Sequence, residues 1–308
     1  MLFASIDIGS NAVRLFFANV FETDGVPRIE KASLIRIPIR LGDDVFKTGT
    51  ISENRIENLL KTLKAFNMLI DVYKPVDYIA CATSAMREAE NNIHVLERIK
   101  KETGILVKVI DGMEEAIMVC SIDNLVIQDK YSFSVYIDVG GGSTEISVLK
   151  NHVLINSESF QIGTIRMLNN KVQAEEWQRM ITWLNLFKND FGKLYLVGSG
   201  GNINKLSKLY STQADYSLSL KDLKKGFKKL NSLTVQQRID KMGLRPDRAD
   251  VIVPAAEIFL AIMKTMKSQY IHVPRIGLSD GLIYFLYKTY KEKKFNSVIY
   301  NMLFLKEA

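Results

Sequence analysis

The sequence predicts a duplicated α/β fold, two similar halves arranged about a cleft. Two observations carry that expectation. The segments Ser5-Ile-Asp7-Ile-Gly9-Ser10-Asn11-Ala12-Val-Arg14-Leu15 and Tyr136-Ile-Asp138-Val-Gly140-Gly141-Gly142-Ser143-Thr144-Glu145-Ile146 are near copies. Each is an apolar strand ending in Asp, then a turn of small residues, then a second apolar strand. The chain beyond each copy also repeats in kind, with further β-rich segments and then helices mixed with strands, as a duplicated α/β unit reads. Two such turns, each with a carboxylate at its lip, suit a phosphate chain and its metal gripped from both sides.

Residues 2–9 and 13–21 are β-rich around a turn and read as a hairpin. Residues 28–41 continue as one or more strands. Across 52–73, Ile56, Leu59, Leu60, Leu63, Phe66 and Ile70 fall on one helical stripe, with Ser52 as the candidate N-cap. A short buried strand at 76–82, a helix over 85–102 and a strand at 105–110 come next. Gly112 opens a helix through Glu114, Glu115 and Ala116. The pattern restarts near Phe133 with strands at 134–138, 145–150 and 153–160, a helix over 174–190 and a strand at 193–197. Gly198-Ser-Gly200-Gly201 then turns into a helix, and the chain from Leu220 onward is mostly helical. The polar stretch 124–130 marks a boundary, giving units 1–126 and 127–308, with a C-terminal helix near 291–308 able to pack back on the first. A short linker implies a cleft, and such clefts are favoured ligand sites.

At 308 residues the chain is long enough for two domains. A composition of 47% hydrophobic and 24% charged residues is globular and excludes large-scale disorder. The net charge of +7 is compatible with a polyanionic ligand, although many proteins without one share it. Cys81 and Cys120 lie in apolar contexts without CxxC spacing and read as buried free thiols of a reducing compartment. No basic region followed by an apolar run opens the chain, so no secretory signal is expected. The apolar stretch 251–263 contains Pro254 and Glu257 and is too short for a bilayer. The expectation is a cytoplasmic protein with neither membrane nor nucleic acid as partner. His94, His152 and His272 lack ligand spacing, and there is no Ser-His-Asp order or Cys-His pair to support a covalent mechanism.

The turns carry the chemistry. Successive N–H groups over 9–12 and 140–144 can form a concave anion nest, and missing Cβ atoms let a phosphate approach. Ser10, Asn11, Ser143 and Thr144 add polar side chains. Neither turn is a Walker loop, because no Lys-Ser/Thr follows the glycines. Asp7 and Asp138 sit at strand ends, where they would repel a phosphate unless a cation lay between. Mg²⁺ suits that place, since it binds through one or two carboxylates together with phosphate and water. Either carboxylate can instead accept N–H bonds from its own turn.

Five motifs in order make the pattern specific: Asp7-Ile-Gly-Ser-Asn11, Ala82-Thr-Ser-Ala-Met-Arg87, Gly112-Met-Glu-Glu115-Ala, Asp138-Val-Gly-Gly-Gly-Ser-Thr-Glu145 and Gly198-Ser-Gly-Gly201. This series resembles the exopolyphosphatase and guanosine pentaphosphate phosphohydrolase (Ppx/GppA) family. That family belongs to the actin, Hsp70 and sugar-kinase superfamily of duplicated ribonuclease-H-like domains. The resemblance implies that Glu115 is the catalytic base and that Asp138 is the metal-associated carboxylate. Asp7 is then the matching candidate in the first half, and Glu145 a ligand of the metal or its water. Arg87 would clamp phosphate, Arg14 could reach the same anion, Gly200 and Gly201 would line the phosphate path, and Arg248 would steer a long polyanion. Lys221, Lys224, Lys225, Lys228 and Lys229 could line its exit, though a solvated helix face is the plainer reading.

The implied reaction is release of the terminal phosphate of inorganic polyphosphate, dependent on Mg²⁺ or another divalent cation. Guanosine pentaphosphate is the alternative substrate, and an ATP-binding kinase or a polyphosphate-binding protein is the alternative class. The family also admits a homodimer. The chain departs from the family at Ala12, at Asn202, and after Leu278-Ser-Asp-Gly281, where an Arg-Glu is missing. It ends soon afterwards, which implies a short two-domain form.

Overall fold

The computed structural model of the chain describes residues 1–122, 132–187, 194–213, 215 and 217–293. Strands β1 (Leu2–Ile8) and β2 (Val13–Thr23) form the expected hairpin, with Ile8 opposite Val13 and the small-residue turn between them. β3 (Val26–Ile37) adds to the outer side of β2, while β4 (Tyr78–Ala82) and β5 (Val107–Val109) add in parallel beyond β1. The sheet order is therefore β3-β2-β1-β4-β5.

The second sheet repeats this order. β6 (Phe133–Val139), β7 (Thr144–Lys150) and β8 (Val153–Phe160) are antiparallel, and β9 (Leu194–Ser199) runs parallel to β6, giving β8-β7-β6-β9. A single parallel bridge between Val197 and His272 marks the fifth position, just after the short strand Tyr270–Ile271. His272 donates to Leu196 O at 2.8 Å, and Gly198 donates to His272 O at 2.8 Å. Both sheets thus follow the ribonuclease-H-like plan, and the duplication expected from the two near copies is realised in topology. The expected boundary at 126/127 falls outside the described residues.

Helix α1 (Leu41–Thr48) follows β3 and was not anticipated. In α2 (Glu53–Tyr73) all six residues of the expected stripe are buried. Ser52 occupies the N-cap position but makes no cap bond; its hydroxyl donates to Asp44 at 2.5 Å instead. The helix expected over 85–102 is two, α3 (Ser84–Glu88) and α4 (Asn92–Thr103). The break has a cause: the Asn91 amide bonds both the N–H and the carbonyl of Ile51, at 3.0 and 2.9 Å, which ties the chain down between them. α5 (Gly112–Cys120) starts on a capping box between Asp111 and Glu114.

After β8 come α6 (Thr164–Leu168), also unanticipated, and α7 (Ala174–Leu186). Then follow α8 (Gly201–Tyr210), α9 (Leu220–Asn231), α10 (Val235–Met242), α11 (Pro246–Ala249), α12 (Ile252–Thr265) and α13 (Leu278–Lys293). The five lysines of α9 are exposed while Leu223, Gly226 and Leu230 face inward, so that run is a solvated helix face. No helix among the described residues is long and apolar enough to cross a membrane. Cys81 and Cys120 are both buried and form no disulfide with each other.

Each sheet has its own buried core, and a third core joins them. That third cluster takes Phe3, Phe16 and Ile79 from the first sheet and Met118 and Val119 from α5. Tyr136 and Val197 come from the second sheet, and Leu282, Ile283 and Leu286 from α13. α13 therefore returns from the late part of the chain to β1; the C-terminal helix expected near 291–308 lies mostly outside the described residues. Tyr287 donates to Glu22 on β2, and Lys291 pairs with the same carboxylate at 2.6 Å.

The seat of α13 is set by Gly281. A Cβ there would lie 2.1 Å from Met118 O, a backbone atom that cannot step aside. Gly281→Ala should destabilise the protein by about 1–3 kcal/mol or more through overpacking, read as a lower urea midpoint.

Candidate active site

The two hairpin turns are built alike. Gly9 N–H donates to Ala12 O at 3.1 Å, and Gly140 N–H donates to Ser143 O at 2.9 Å. These two N–H groups, expected to bind phosphate, thus close their own turns. The loop carbonyls are tied backward. Ser10 O and Asn11 O accept from Gly42 and Arg40 at 2.9 and 3.0 Å; Gly140 O and Gly141 O accept from Thr164 and Ile165 at 3.0 and 2.8 Å. With the carbonyls held at the starts of α1 and α6, the N–H groups of Ser10, Asn11, Gly141, Gly142 and Ser143 have no acceptor among the described residues. They form the donors of two anion nests.

The nests face each other at close range. A Cβ on Gly141 would sit 2.9 Å from Ser10 Cβ and 3.4 Å from Asn11 N, and one on Gly142 would meet Phe46 and Ser84. Two expected hydroxyls are engaged elsewhere. Ser10 Oγ pairs with Ser84 Oγ at 2.8 Å and accepts from Ala85 N–H at 3.2 Å, while Thr144 Oγ1 donates to Ile162 O at 2.5 Å. Asn11 reaches across the cleft and donates to Asp247 O at 3.1 Å.

Beyond the turns the register sets the charges. Asp7 lies opposite Arg14 and Arg14 opposite Arg36; at the matching places Asp138 lies opposite Glu145 and Glu145 opposite Ser159. Arg14 is ion-paired with Asp7 and titrates above its ordinary value, chiefly through that charge. Asp7 was expected beside a metal; an arginine already neutralises it.

The second ladder is acidic. Ser159 Oγ donates to Glu145 at 2.9 Å. Glu115 joins from α5, whose first turn presses so closely on β8 that a Cβ on Gly112 would lie 2.5 Å from Ser159 Cβ. Its neighbour Glu114 serves the capping box and pairs with Lys108 at 2.6 Å. Glu115 turns the other way, is 8% exposed, and its Oε2 is buried without a partner. Glu115, Asp138 and Glu145 line a small cavity of about 10 Å³ together with Ala116, Val119, Cys120, Tyr136 and Ser147, and its wall is largely apolar.

Burial raises all three carboxyl groups. Asp138 is pushed up to about 6, with Asp7 adding repulsion and Arg14 opposing. Glu145 is raised by burial and then by Asp138; Glu115 is raised by burial, then by Glu145 and Asp138. Arg87, on α3, opposes both glutamate shifts, and its Nη1 donates to Ile110 O at 2.7 Å. Gly200 has a φ of 96°, and a Cβ there would be 2.9 Å from Asp138 Oδ1. Gly201 lies against Arg248, whose Nη2 would be 2.8 Å from an added Cβ. Burial, with repulsion from Arg36 and Arg14, lowers Arg248 to about 10.

Arg166 was missed from the sequence. It is buried on α6, donates through Nε to Gly142 O at 2.8 Å, and holds both oxygens of Glu88 at 2.7 Å. Its guanidinium also lies 4.2 Å from the centre of the Phe46 ring. It therefore fixes the second nest and fastens it to the helix carrying Arg87. No signal in the local sequence marks it, because its partners are 24 and 78 residues away.

Facing glycine turns on two ribonuclease-H-like sheets, with buried acids below them and guanidiniums around them, define an actin-like fold shaped for phosphoryl groups. Comparison with known proteins narrows this. The family model for the Ppx/GppA phosphatases matches residues 35–289, and the chain belongs to that family. An exopolyphosphatase from Cytophaga hutchinsonii superposes with a TM-score of 0.81 at 25% identity, covering 94% of this chain and 98% of that one. The Aquifex aeolicus family member superposes at 0.73 with 28% identity, covering 95% and 98%. A bifunctional 3-dehydroquinate synthase/phosphatase of Fusobacterium nucleatum is 29% identical over 303 residues, 88% of this chain. The present chain spans 44% of that relative's length.

The raised carboxyls bear on stability. Between the unfolded carboxyl pKa and the folded values the native state holds more protons, so the unfolding free energy must fall as pH rises through that interval. For Asp138, moved from 3.8 to about 6, the loss is on the order of 2–3 kcal/mol between pH 4 and 7. Urea unfolding without divalent cations should show this fall, and Glu115→Gln should raise stability at neutral pH. Arg166→Ala should cost about 2–4 kcal/mol, because it leaves Glu88 and Gly142 O without their partner, and Arg166→Lys should restore little of it.

Proposed function

We propose that the chain is an exopolyphosphatase that removes the terminal phosphate of inorganic polyphosphate, with Glu115 as general base. The observation that carries this is the buried, unpartnered Glu115 Oε2 on a side chain that shares a small cavity with Asp138 and Glu145. In this reading the terminal phosphoryl group enters between the two nests. N–H groups of Ser10, Asn11, Gly141, Gly142 and Ser143 take its oxygens, and Arg14 and Arg87 balance its charge. A water beside Glu115 gives its proton to Oε2 and attacks phosphorus; the bridging P–O bond breaks and the shortened chain leaves. Such a reaction asks the protein for orientation and charge neutralisation more than for covalent chemistry.

The acids also fit a hard divalent cation. All the donors are oxygens, the three carboxyls repel one another, and one oxygen lacks a partner. Asp138 and Glu145 would hold Mg²⁺, which when bound neutralises phosphate-oxygen charge and lowers the Glu115 pKa toward that of a working base. Among the described residues no cluster of three or more acidic, imidazole or thiol groups forms a cage of its own. We place the division between the two units at residues 126/127, where the repeated pattern restarts.

Phosphate release from polyphosphate should fall by about 10²–10⁴-fold in Glu115→Gln with the fold retained, and near-wild-type turnover would remove the assignment. Chelation should abolish release and Mg²⁺ restore it. Rates measured side by side on polyphosphate and guanosine pentaphosphate assign the substrate between the two.

A further inference from the structure

Ser159 bears on two glutamates of the acidic site through different atoms. Its Oγ donates to Glu145 Oε1 at 2.9 Å across the β7–β8 pairing. Its Cβ faces Gly112, where an added Cβ would lie 2.5 Å from Ser159 Cβ, 2.9 Å from Ser159 Oγ and 3.8 Å from Glu145 Oε1. Gly112 and Glu115 are three residues apart on α5, so they share a helix face and move together. Ala116 and Val119 extend that face, and with Glu115 they line the same small cavity as Glu145 and Ser147 of β7.

Both partners of this contact are braced. The Asp111–Glu114 capping box sets the backbone at Gly112. The Ser159 carbonyl accepts from Arg179 Nη2 at 2.7 Å, and Arg179 is held in turn by Glu158 at 2.5 Å and Glu176 at 3.0 Å. A methyl at Gly112 would meet Ser159 at its Cβ, not at the far end of a flexible side chain. It could be accommodated only by moving α5 away from β8, and Glu115 with it.

We propose that Ser159 is a positioning residue for both glutamates: its hydroxyl fixes the Glu145 carboxylate that would take the cation, and its Cβ, resting on Gly112, sets how far Glu115 stands from it. A group that hydrogen-bonds a metal ligand holds that ligand in orientation, so its loss is felt in metal affinity. A group that spaces a base is felt in turnover, because a displacement of about 1 Å can cost on the order of 10²-fold. The inference rests on the reading of Glu145 as a cation ligand and of Glu115 as the base.

Two measurements on the full chain test it. The first is Mn²⁺ binding without substrate, followed by electron paramagnetic resonance, with Mn²⁺ standing in for Mg²⁺ among oxygen donors. Ser159→Ala keeps the Cβ and removes the hydroxyl, and should weaken Mn²⁺ about tenfold. In a Glu145→Gln background the same change should cost nothing further, since both residues act through one carboxylate. The second is turnover of polyphosphate at saturating Mg²⁺. Gly112→Ala should lower it by about 10²-fold. Adding Ser159→Gly gives the new methyl room and should recover most of that loss; saturating Mg²⁺ removes the cost of the missing hydroxyl from the comparison. The melting temperature should fall in Gly112→Ala and rise again in the pair. Unaltered Mn²⁺ affinity in Ser159→Ala, an equal loss in the Glu145→Gln background, or no recovery in the pair overturns the proposal. Absence of Mn²⁺ binding to the unmodified chain removes the cation reading and the proposal together. If that chain binds Mn²⁺ but releases no phosphate, the hydrolase reading falls, and the Mn²⁺ pattern with the recovered melting temperature supports the positioning role. Release with Ser159→Ala neutral toward Mn²⁺ does the reverse.

Discussion

Burial of three carboxyl groups against one another is the constraint on which the rest of the site depends. Glu115, Asp138 and Glu145 come from a helix and two strands, and nothing in the immediate shell cancels their charge completely. A protein keeps such an arrangement only where the surroundings over-determine it. Here α5 is pinned against β8 at Gly112 and against α13 at Gly281. Close contact at both ends, Gly112 on the Ser159 side chain and Met118 O on Gly281, fixes the helix that carries Glu115. The unfavourable electrostatics are thus held in place by packing, which is why a site of this kind sits beside a core rather than on a mobile loop.

Duplication supplied the geometry, and a few residues divided the labour. Matching rungs of the two sheets read Asp7, Arg14, Arg36 and Asp138, Glu145, Ser159. The same backbone positions present a mainly basic ladder on one side of the cleft and a mainly acidic one on the other. A polyanion and its cation ask for opposite fields within a few ångströms, and two copies of one hairpin provide them by side-chain exchange alone. The turns remained alike because their task, turning N–H groups outward, belongs to the backbone.

Much of this was legible in the residues. Asp7 and Arg14 are seven apart, as are Asp138 and Glu145, so the equivalence of the two hairpins is written in the spacing. The buried stripe of α2 and the start of α5 follow from local periodicity and capping. What stayed hidden depends on distant register. Arg36 acquires meaning only when β3 pairs with β2, and Asp247 only when α11 closes over it. Arg166 lies in a short helix without periodic signal and acts through Gly142 and Glu88. The Ser10 and Thr144 hydroxyls look like phosphate ligands in sequence because residue type cannot say which neighbour claims them first. The ion pair of Asp7 with Arg14 is likewise invisible until the cross-strand register is known.

The return of α13 to the first sheet reaches beyond the site. Phe3 and Ile79, among the earlier residues of the chain, share a core with Leu282, Ile283 and Leu286. That core remains open on one side until the later helix has been made, so the first sheet waits through synthesis of the second with apolar surface uncovered. Contacts of such long sequence separation slow folding and expose the waiting intermediate to aggregation. The late helix is therefore also the step that commits the chain: until it docks, Glu115 sits on a helix with one side unsupported, and the acidic site cannot be held in its final form.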